Sequence, residues 1–301
     1  MSRDVTLRTL PAWLNTDVPT YAHRAELGDV TLAYDEYGPP DAPLALCLHG
    51  FPDTAHTFRL MTPFLVREGY RVVVPAMRGY APSSLSGSSN YHAEALASDA
   101  NRLHEYLKAD ERAVLVGHDW GAVATYAATN SEPARWRRAV TIAVPPPATF
   151  GRALMGFEQL HASWYMFFFH NALAEHVVPL DEFAFLRELW TAWSPAYDPK
   201  HELEPLRQAL SSPENLHAVL EYYRAIFAPR LLGTVVPEPP SVATLYLHGA
   251  SDGCFLASGL EGVLDFLAPG SKFVLMRDAG HFAHLEQPDA LHNAVAAFLS
   301  D

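Results

Sequence analysis

Short apolar runs recur along the first half of the chain, and each ends in small or turn-forming residues. Such a run, without polar alternation, is typical of a strand that is buried on both faces of a parallel sheet. Residues 91–107 instead place Leu96, Leu103 and Leu107 among polar residues at helical spacing. Strands that alternate with helices indicate an α/β fold. The predicted strands cover residues 44–48, 71–74, 113–116 and 138–144.

The pattern changes after the fourth predicted strand. Prolines 145–147 precede about ninety residues rich in aromatics and helix formers, and a second proline cluster ends at Pro240. Because proline clusters act as stiff joints, residues 148–239 are predicted to be a mostly helical insertion. The chain then resumes with predicted strands over 244–247 and 272–276 and predicted helices over about 257–267 and 282–299. The expected domains are a discontinuous core, 1–147 and 240–301, and a cap, 148–239.

Composition narrows the class of protein. The 301 residues are 49% hydrophobic and 18% charged, which excludes a disordered chain and leaves ample material for a core. Lys and Arg total 21 against 34 Asp and Glu, and the net charge of −13 argues against nucleic acid or an anionic membrane as the main partner. With only Cys47 and Cys254, and with no basic start joined to an apolar run, we expect a cytoplasmic protein without signal peptide or membrane span.

A tight turn with flanking glycines follows the third predicted strand. Gly117-His118-Asp119-Trp120-Gly121 leads from that strand into a helix of small residues. Strand, tight turn and helix form the setting of a nucleophile elbow, in which a strained central residue exposes its side chain at the helix start. The central residue here is Asp119, where many enzymes with such a turn have serine. A polar residue that caps a helix is the alternative interpretation of this position.

Three further segments carry candidate chemistry. His49-Gly-Phe51-Pro follows a strand, and the Phe51 N–H, together with the Trp120 N–H, is expected to face an anionic oxygen. Asp252 lies just past one of the later predicted strands, and His281 lies past the last one. The chain order of nucleophile, acid and histidine fits a hydrolase elbow. Asp278 is a second candidate for the acid, although its place three residues before His281 favours a role in the turn.

The motifs HGFP, GHDWG, LYLHGASDG and AGHFAHLEQP together resemble the α/β-hydrolase superfamily, and within it the Asp-nucleophile branch of epoxide hydrolases and haloalkane dehalogenases. The resemblance covers nearly the whole chain. It implies the α/β-hydrolase fold: a mostly parallel central sheet flanked by helices, with a helical cap inserted after the sixth strand.

An aspartate nucleophile restricts the reaction. Serine attacking an alkyl carbon would end as an ether that water does not readily cleave, whereas a carboxylate forms an alkyl ester. Water hydrolyses that ester at its own carbonyl. Asp119 therefore favours displacement at an alkyl carbon through a covalent intermediate, followed by release with water activated by His281 and Asp252.

The choice of electrophile depends on the cap. An epoxide oxygen needs a hydrogen-bond donor as the ring opens, and a phenol stays protonated at neutral pH. In epoxide hydrolases two cap tyrosines have this role, and the resemblance carries it to Tyr165, before an aromatic run, and to Tyr223, in a Tyr-Arg pair. Packing within the cap is the alternative role for either tyrosine. The expected substrate-binding side chains are those of Phe51, Trp120, Trp164 and Phe168.

Other interpretations remain open at this point. A haloalkane dehalogenase would use the same nucleophile, and the Trp120 indole would serve as one halide donor. A haloacid dehalogenase is disfavoured because its relatives carry arginine at the position of Trp120. Ser251 matches G-x-S-x-G after a strand and would be the nucleophile of an esterase. This assignment is disfavoured because only 30 positions separate Ser251 from His281, which leaves too little room for a separate strand that carries the acid. A non-enzymatic hydrolase-like binding protein is the last alternative.

We therefore predict an epoxide hydrolase that converts a small lipophilic epoxide and water into a vicinal diol. No cofactor is expected. His281 and His284 lie at helical spacing, but no H-E-x-x-H motif or thiolate cluster supports a metal. His284 is expected to be structural, His118 to pack beside the elbow and Asp53 to make a loop contact. The oligomeric state is left open.

Overall fold

An eight-stranded sheet forms the centre of the computed structural model, which describes residues 20–226 and 241–301. The strand order is β1-β2-β4-β3-β5-β6-β7-β8. The pairs β1–β2 and β2–β4 are antiparallel, and every later pair is parallel. The strands are β1 (His23–Glu26), β2 (Thr31–Tyr37), β3 (Leu44–Leu48), β4 (Arg71–Pro75), β5 (Val114–His118), β6 (Arg138–Ile142), β7 (Thr244–Gly249) and β8 (Lys272–Met276).

Helices cover both faces of the sheet. A separate series of helices follows β6 along the chain. The helices that pack on the sheet are α1 (Met61–Arg67), α2 (Ala93–Tyr106), α3 (Trp120–Ser131), α11 (Ala283–Glu286) and α12 (Pro288–Ser300). Between β6 and residue 226, the described helices are α4 (Pro147–Ala153), α5 (Phe157–Ala162), α6 (Trp164–Phe169), α7 (Leu173–Val177), α8 (Leu180–Trp193), α9 (Lys200–Ala209) and α10 (Pro213–Ile226). None of the helices within the described ranges has both the length and the apolar character that a bilayer crossing requires.

The buried strands form because their side chains are apolar on both faces. All five residues of β3 and of β5 are buried between the two helical layers. Central parallel strands are buried on both faces in this way, and continuous apolar runs in a sequence predict such burial. The carboxyl ends of β3, β5, β6 and β7 consequently meet at one edge of the sheet, where the polar candidates of the sequence also lie.

The α/β-hydrolase architecture predicted from the motifs is confirmed, including the insertion after the sixth strand. The boundaries 147 and 240 stay predictions, since residues 227–240 lie outside the described part of the chain. Two predicted helices are wrong in detail. Residues 257–267 form two short 3₁₀ turns, because Gly262 adopts a left-handed φ of 67° between them. The helix predicted over 282–299 is divided before Pro288, whose ring cannot continue the preceding turn.

Two further differences concern the strands of the sheet. The strand predicted over 138–144 ends at Ile142, because Ala143 takes a positive φ of 72°. The two antiparallel strands β1 and β2 were not predicted. Their burial is mixed, with exposed or intermediate residues among buried ones, so they lack the continuous apolar run that marked the central strands.

Candidate active site

Asp119 lies on the turn between β5 and α3 with φ 51° and ψ −114°, outside the regions that non-glycine residues usually adopt. Close packing maintains this turn. A Cβ added to Gly121 would lie 1.9 Å from the Leu48 carbonyl oxygen, and one added to Gly50 would lie 2.3 Å from the Asp119 Cβ. The glycines thus let two loops meet, and the side chain of Asp119 extends from the start of α3. This is the geometry of a nucleophile elbow.

The loop after β3 supplies a donor to this carboxylate. The Phe51 N–H donates to Asp119 Oδ1 at 2.7 Å. His49 fixes the loop, because its Nδ1–H donates to the Gly50 carbonyl at 2.9 Å and its Nε2 accepts from the Met77 N–H at 3.0 Å. Burial lowers the pKa of His49 to about 4, so the ring is neutral and can both donate and accept. The Phe51 N–H therefore contacts the Asp119 carboxylate directly, and the oxyanion-hole role of the Phe51 and Trp120 N–H groups stays a prediction.

The structure brings Asp119, His281 and Asp252 together in the predicted order. His281 Nδ1 is 2.9 Å from Asp252 Oδ2, and its Nε2 is 3.6 Å from Asp119 Oδ2. The second oxygen of Asp252 accepts from the Cys254 N–H at 2.7 Å and the Phe255 N–H at 3.0 Å. Asp252 is thus fixed by its own loop, and it orients the His281 ring so that Nε2 faces the elbow.

The buried and charged surroundings of His281 shift the pKa of its ring. Burial acts to lower the pKa of His281, but the Asp252 carboxylate, Cys254 and Asp119 together outweigh it. The pKa of His281 consequently lies well above its usual value. His281 Nε2 is buried and has no hydrogen-bond partner among the described residues. A water molecule or substrate that enters between Nε2 and Asp119 would supply that partner.

Both predicted cap tyrosines reach this site. Tyr165 on α6 places its hydroxyl 3.1 Å from Cys254 Sγ, and the Tyr165 and Tyr223 rings pack edge to face at 5.8 Å between centroids. The Tyr223 hydroxyl on α10 is buried without a hydrogen-bond partner in the described residues. Burial, with the Asp119 charge as a further contribution, raises the pKa of both phenols well above 10, so both stay protonated donors.

A cavity of about 250 Å³ joins the elbow to the cap. Its polar groups include Asp119, Tyr165 and Tyr223, and most of the remaining lining is apolar or aromatic. Large buried aromatic surfaces with a few convergent polar groups are typical of sites for small apolar molecules. The apolar and aromatic lining comprises Ala93, Trp120, Val123, Val144, Pro145, Pro147, Phe150, Met166, Ala225, Ile226 and Phe255.

Three of the four predicted substrate-binding side chains require correction. Trp120 lines the cavity, but Phe51, Trp164 and Phe168 do not belong to its lining. Phe51 is fully buried against Phe169 and Tyr223. Trp164 is 48% exposed on the outer face of its helix, where it packs on Phe168. Alternation around a helical turn explains the error, since Tyr165 and its neighbour Met166 point inward and Trp164 points outward.

Cys254 is the site residue that sequence reasoning missed. It lies two positions after the acid, is buried, lines the cavity and contacts the Tyr165 hydroxyl. Its place in LYLHGASDGCF was visible, but nothing in the chain pattern showed that α6 would pack over it. Burial raises the pKa of the Cys254 thiol, which keeps it protonated in the free site.

A buried polar layer supports His281 from behind. His118 Nε2–H donates to the His281 carbonyl at 3.1 Å, and His284 Nε2 lies 2.5 Å from Thr57 Oγ1. Burial is the main cause that lowers the pKa of His118 and of His284 well below the usual value. Neighbouring histidines add to the effect at His118, and Arg59 adds to it at His284, so both rings are neutral. Their placement agrees with the expected structural roles. Asp53 also lies in this layer and accepts from the Thr54 N–H at 2.7 Å.

The alternative residues lie elsewhere. Ser251 is exposed in a turn, where its N–H donates to the Ala279 carbonyl. Asp278 is exposed, and its carbonyl accepts from the Gln287 side chain. Neither residue occupies the elbow. Asp252 is hydrogen-bonded to the His281 ring, whereas Ser251 and Asp278 make no such bond within the described ranges.

Comparison with known proteins agrees with this geometry. The family described as alpha/beta hydrolase fold matches residues 43–288. AB hydrolase superfamily protein YfhM of Bacillus subtilis is 25% identical over 279 residues, covering 90% of this chain and 95% of that protein. Human Epoxide hydrolase 4 is 26% identical over 277 residues, covering 89% of this chain and 75% of the human protein.

Solved structures lead to the same family. A structure described under novel epoxide hydrolases from metagenomes of hot environments is 27% identical with a TM-score of 0.80, covering 92% of this chain and 97% of the other. An epoxide hydrolase of Bacillus megaterium in complex with an inhibitor is 24% identical with a TM-score of 0.80, covering 93% and 100% of the two chains. By its family match, its sheet order and its elbow, this chain belongs to the α/β-hydrolase fold family.

Proposed function

We propose that the protein is an epoxide hydrolase that forms a covalent ester on Asp119. The observation that carries the proposal is the convergence, in one apolar cavity, of the Asp119 carboxylate and the two phenols of Tyr165 and Tyr223. Several relatives that match most of the chain are named epoxide hydrolases, which supports the same activity here.

The first step is ring opening. The epoxide lies between the elbow and the cap, and its oxygen accepts hydrogen bonds from Tyr165 and Tyr223. Asp119 Oδ2 then attacks one ring carbon, the carbon–oxygen bond of the ring breaks, and a phenol proton neutralises the developing alkoxide. Oδ1 stays against the Phe51 N–H as the carbonyl oxygen of the new hydroxyalkyl ester.

The second step is hydrolysis of that ester. Esterification removes the negative charge of Asp119, one of the contributions that raise the pKa of His281, so the ring loses its proton more readily. Neutral His281, oriented by Asp252, takes a proton from water that attacks the Asp119 carbonyl carbon. The oxyanion at Oδ1 is stabilised by the Phe51 N–H and, as proposed, by the Trp120 N–H, each donor contributing about 3 kcal/mol. Collapse releases the vicinal diol as the proton on His281 passes to the leaving oxygen, and the proton left on the regenerated Asp119 carboxyl returns to the tyrosinate formed in ring opening.

Two protonated phenols are the reason to prefer an epoxide over an alkyl halide. An epoxide oxygen becomes an alkoxide that needs a proton, whereas a halide ion leaves without one. The cavity lining is apolar apart from a few groups, so the proposed substrate is a small lipophilic epoxide. Water is the only co-reactant that the two steps require.

The ester route has a direct test. In a single turnover in ¹⁸O-labelled water, the diol should contain no label, because its new oxygen comes from Asp119. Label in that first diol would exclude the ester. Replacement of His281 by Gln should also trap the intermediate, seen as an increase in intact mass equal to the mass of the epoxide.

The substrate class is tested by a panel of terminal and internal epoxides beside alkyl bromides. We expect diol formation from epoxides, abolished in Asp119→Asn. Halide release without diol formation would identify a haloalkane dehalogenase instead. Absence of turnover across the panel, with substrate binding retained, would indicate a binding protein.

A further inference from the structure

Three different metal-ligating groups meet at the inner end of the cavity. An oxygen of Asp119, Sγ of Cys254 and a ring nitrogen of His281 all lie within 4.8 Å of one another, and all three residues are buried. Asp119 and Cys254 line the cavity, so the cluster can be reached from the space that admits the substrate. This set of carboxylate, thiolate and imidazole contains the ligand types that zinc prefers.

The ring of His281 is already arranged as a metal ligand. Its Nδ1 is engaged with Asp252 Oδ2 at 2.9 Å, which leaves Nε2 as the free nitrogen. A carboxylate on the far nitrogen is the usual support of a zinc-bound imidazole. His281 Nε2 is fully buried and lacks a hydrogen-bond partner among the described residues.

The spacing fits a tetrahedral ion after small movements. His281 Nε2 and Asp119 Oδ2 are 3.6 Å apart. Metal bonds of about 2.0–2.2 Å place two ligands of a tetrahedron roughly 3.3–3.6 Å apart. Charge also favours the occupant, because one carboxylate, one thiolate and one neutral imidazole balance a divalent ion in a buried site.

We propose that Asp119, Cys254 and His281 form an inhibitory site for Zn²⁺, with water in the fourth position. The ion replaces the thiol proton of Cys254 and the proton on His281 Nε2; both protons pass to solvent, and no oxidation or reduction takes place. Bound Zn²⁺ occupies the carboxylate of Asp119 and the lone pair of His281. If the proposed function is correct, it therefore blocks both ring opening and ester hydrolysis.

Cys254 is the residue that makes the site selective. A carboxylate and one imidazole alone bind many divalent ions weakly, whereas a thiolate adds strong preference for Zn²⁺, Co²⁺ and Cd²⁺ over Mg²⁺ or Ca²⁺. The chain has one other cysteine, Cys47, which is fully buried within β3. It provides a matched control of the same residue type.

The first experiment measures metal binding without any turnover. Co²⁺ is added to the wild-type protein, to Cys254→Ala and to Cys47→Ala, and near-ultraviolet and visible spectra are recorded. We expect a saturable thiolate-to-cobalt charge-transfer band and strong tetrahedral bands in wild type and Cys47→Ala, and loss of the charge-transfer band in Cys254→Ala. Zn²⁺ should displace Co²⁺, and its Kd by calorimetry should rise at least 100-fold in Cys254→Ala.

Two controls keep the result decisive. Thermal unfolding verifies that Cys254→Ala is folded; if it is not, His281→Gln is used, which should keep the charge-transfer band but weaken Zn²⁺ binding. A wild-type spectrum without thiolate charge transfer, or equal Zn²⁺ affinity in wild type and Cys254→Ala, would overturn the site. The surface histidines would then account for any binding.

The second experiment measures inhibition of epoxide turnover by Zn²⁺ with Mg²⁺ as the comparison ion. Zn²⁺ should inhibit competitively with the epoxide, and Mg²⁺ at the same concentration should not. Inhibition that is equal for both ions would contradict the proposal. If no epoxide is turned over, the proposed function fails, but the spectroscopic binding result still decides the metal site.

Discussion

Two adjacent tyrosines of α10 have hydroxyls in opposite environments, and this difference allows a sharp test. The Tyr222 hydroxyl donates to the Arg78 carbonyl at 2.7 Å and so fastens the cap to a core loop. The Tyr223 hydroxyl is buried without a partner among the described residues and faces the cavity with Asp119. Both rings are almost fully buried and pack edge to face on Trp120, so conversion to Phe preserves packing in each case.

The two substitutions should have opposite effects. Tyr222→Phe leaves a buried carbonyl of Arg78 without its donor and should lower the free energy of unfolding by about 1–3 kcal/mol. Tyr223→Phe removes a hydroxyl that has no protein partner, so the free energy of unfolding should stay within about 0.5 kcal/mol of wild type or rise. For turnover the order reverses: loss of one of two proton donors at Tyr223 should reduce kcat/KM for an epoxide about 10–100-fold, with Tyr165 still present.

The assay combines chemical denaturation with diol formation on the same three proteins, wild type and the two variants. Single-turnover rates of ester formation should fall in Tyr223→Phe and stay within about threefold of wild type in Tyr222→Phe, because Tyr223 is proposed to contact the reacting oxygen and Tyr222 is not. The reasoning is refuted if Tyr222→Phe loses more turnover than Tyr223→Phe while keeping wild-type stability.

Two further predictions concern the elbow and the acid. Gly121→Ala should lower the free energy of unfolding by more than about 4 kcal/mol, because its Cβ would lie 1.9 Å from a backbone oxygen; Gly151→Ala, in open space on a helix, should instead raise it by about 0.5–1 kcal/mol. Equal melting temperatures of the two variants would contradict the packing argument. Asp252→Asn should slow ester hydrolysis about 10²–10⁴-fold and move its acidic limb to lower pH, because the carboxylate that raises the pKa of His281 is lost. A limb that moves to higher pH would show that the charge of Asp252 does not control His281.

The sequence by itself determined the class of fold and most of the candidate site. Continuous apolar runs are sufficient to mark parallel strands: the central strand β3 and the edge strand β8 were both predicted with their observed bounds. Motif order also identified Asp119, Asp252 and His281, because glycine-flanked turns at the ends of strands leave little freedom for the intervening side chain. The antiparallel strands β1 and β2 escaped prediction because exposed or partly exposed residues interrupt their apolar pattern.

Only the tertiary structure decided which cap residues meet the elbow. The direction of a side chain on a short helix depends on how that helix packs, and the local sequence of α6 does not separate Trp164, which faces outward, from Tyr165, which faces the cavity. The same packing brings Cys254 from a core loop against the Tyr165 hydroxyl, across 89 positions of chain. Long-range contacts of this kind follow from how the cap closes over the sheet, and no local periodicity encodes that arrangement.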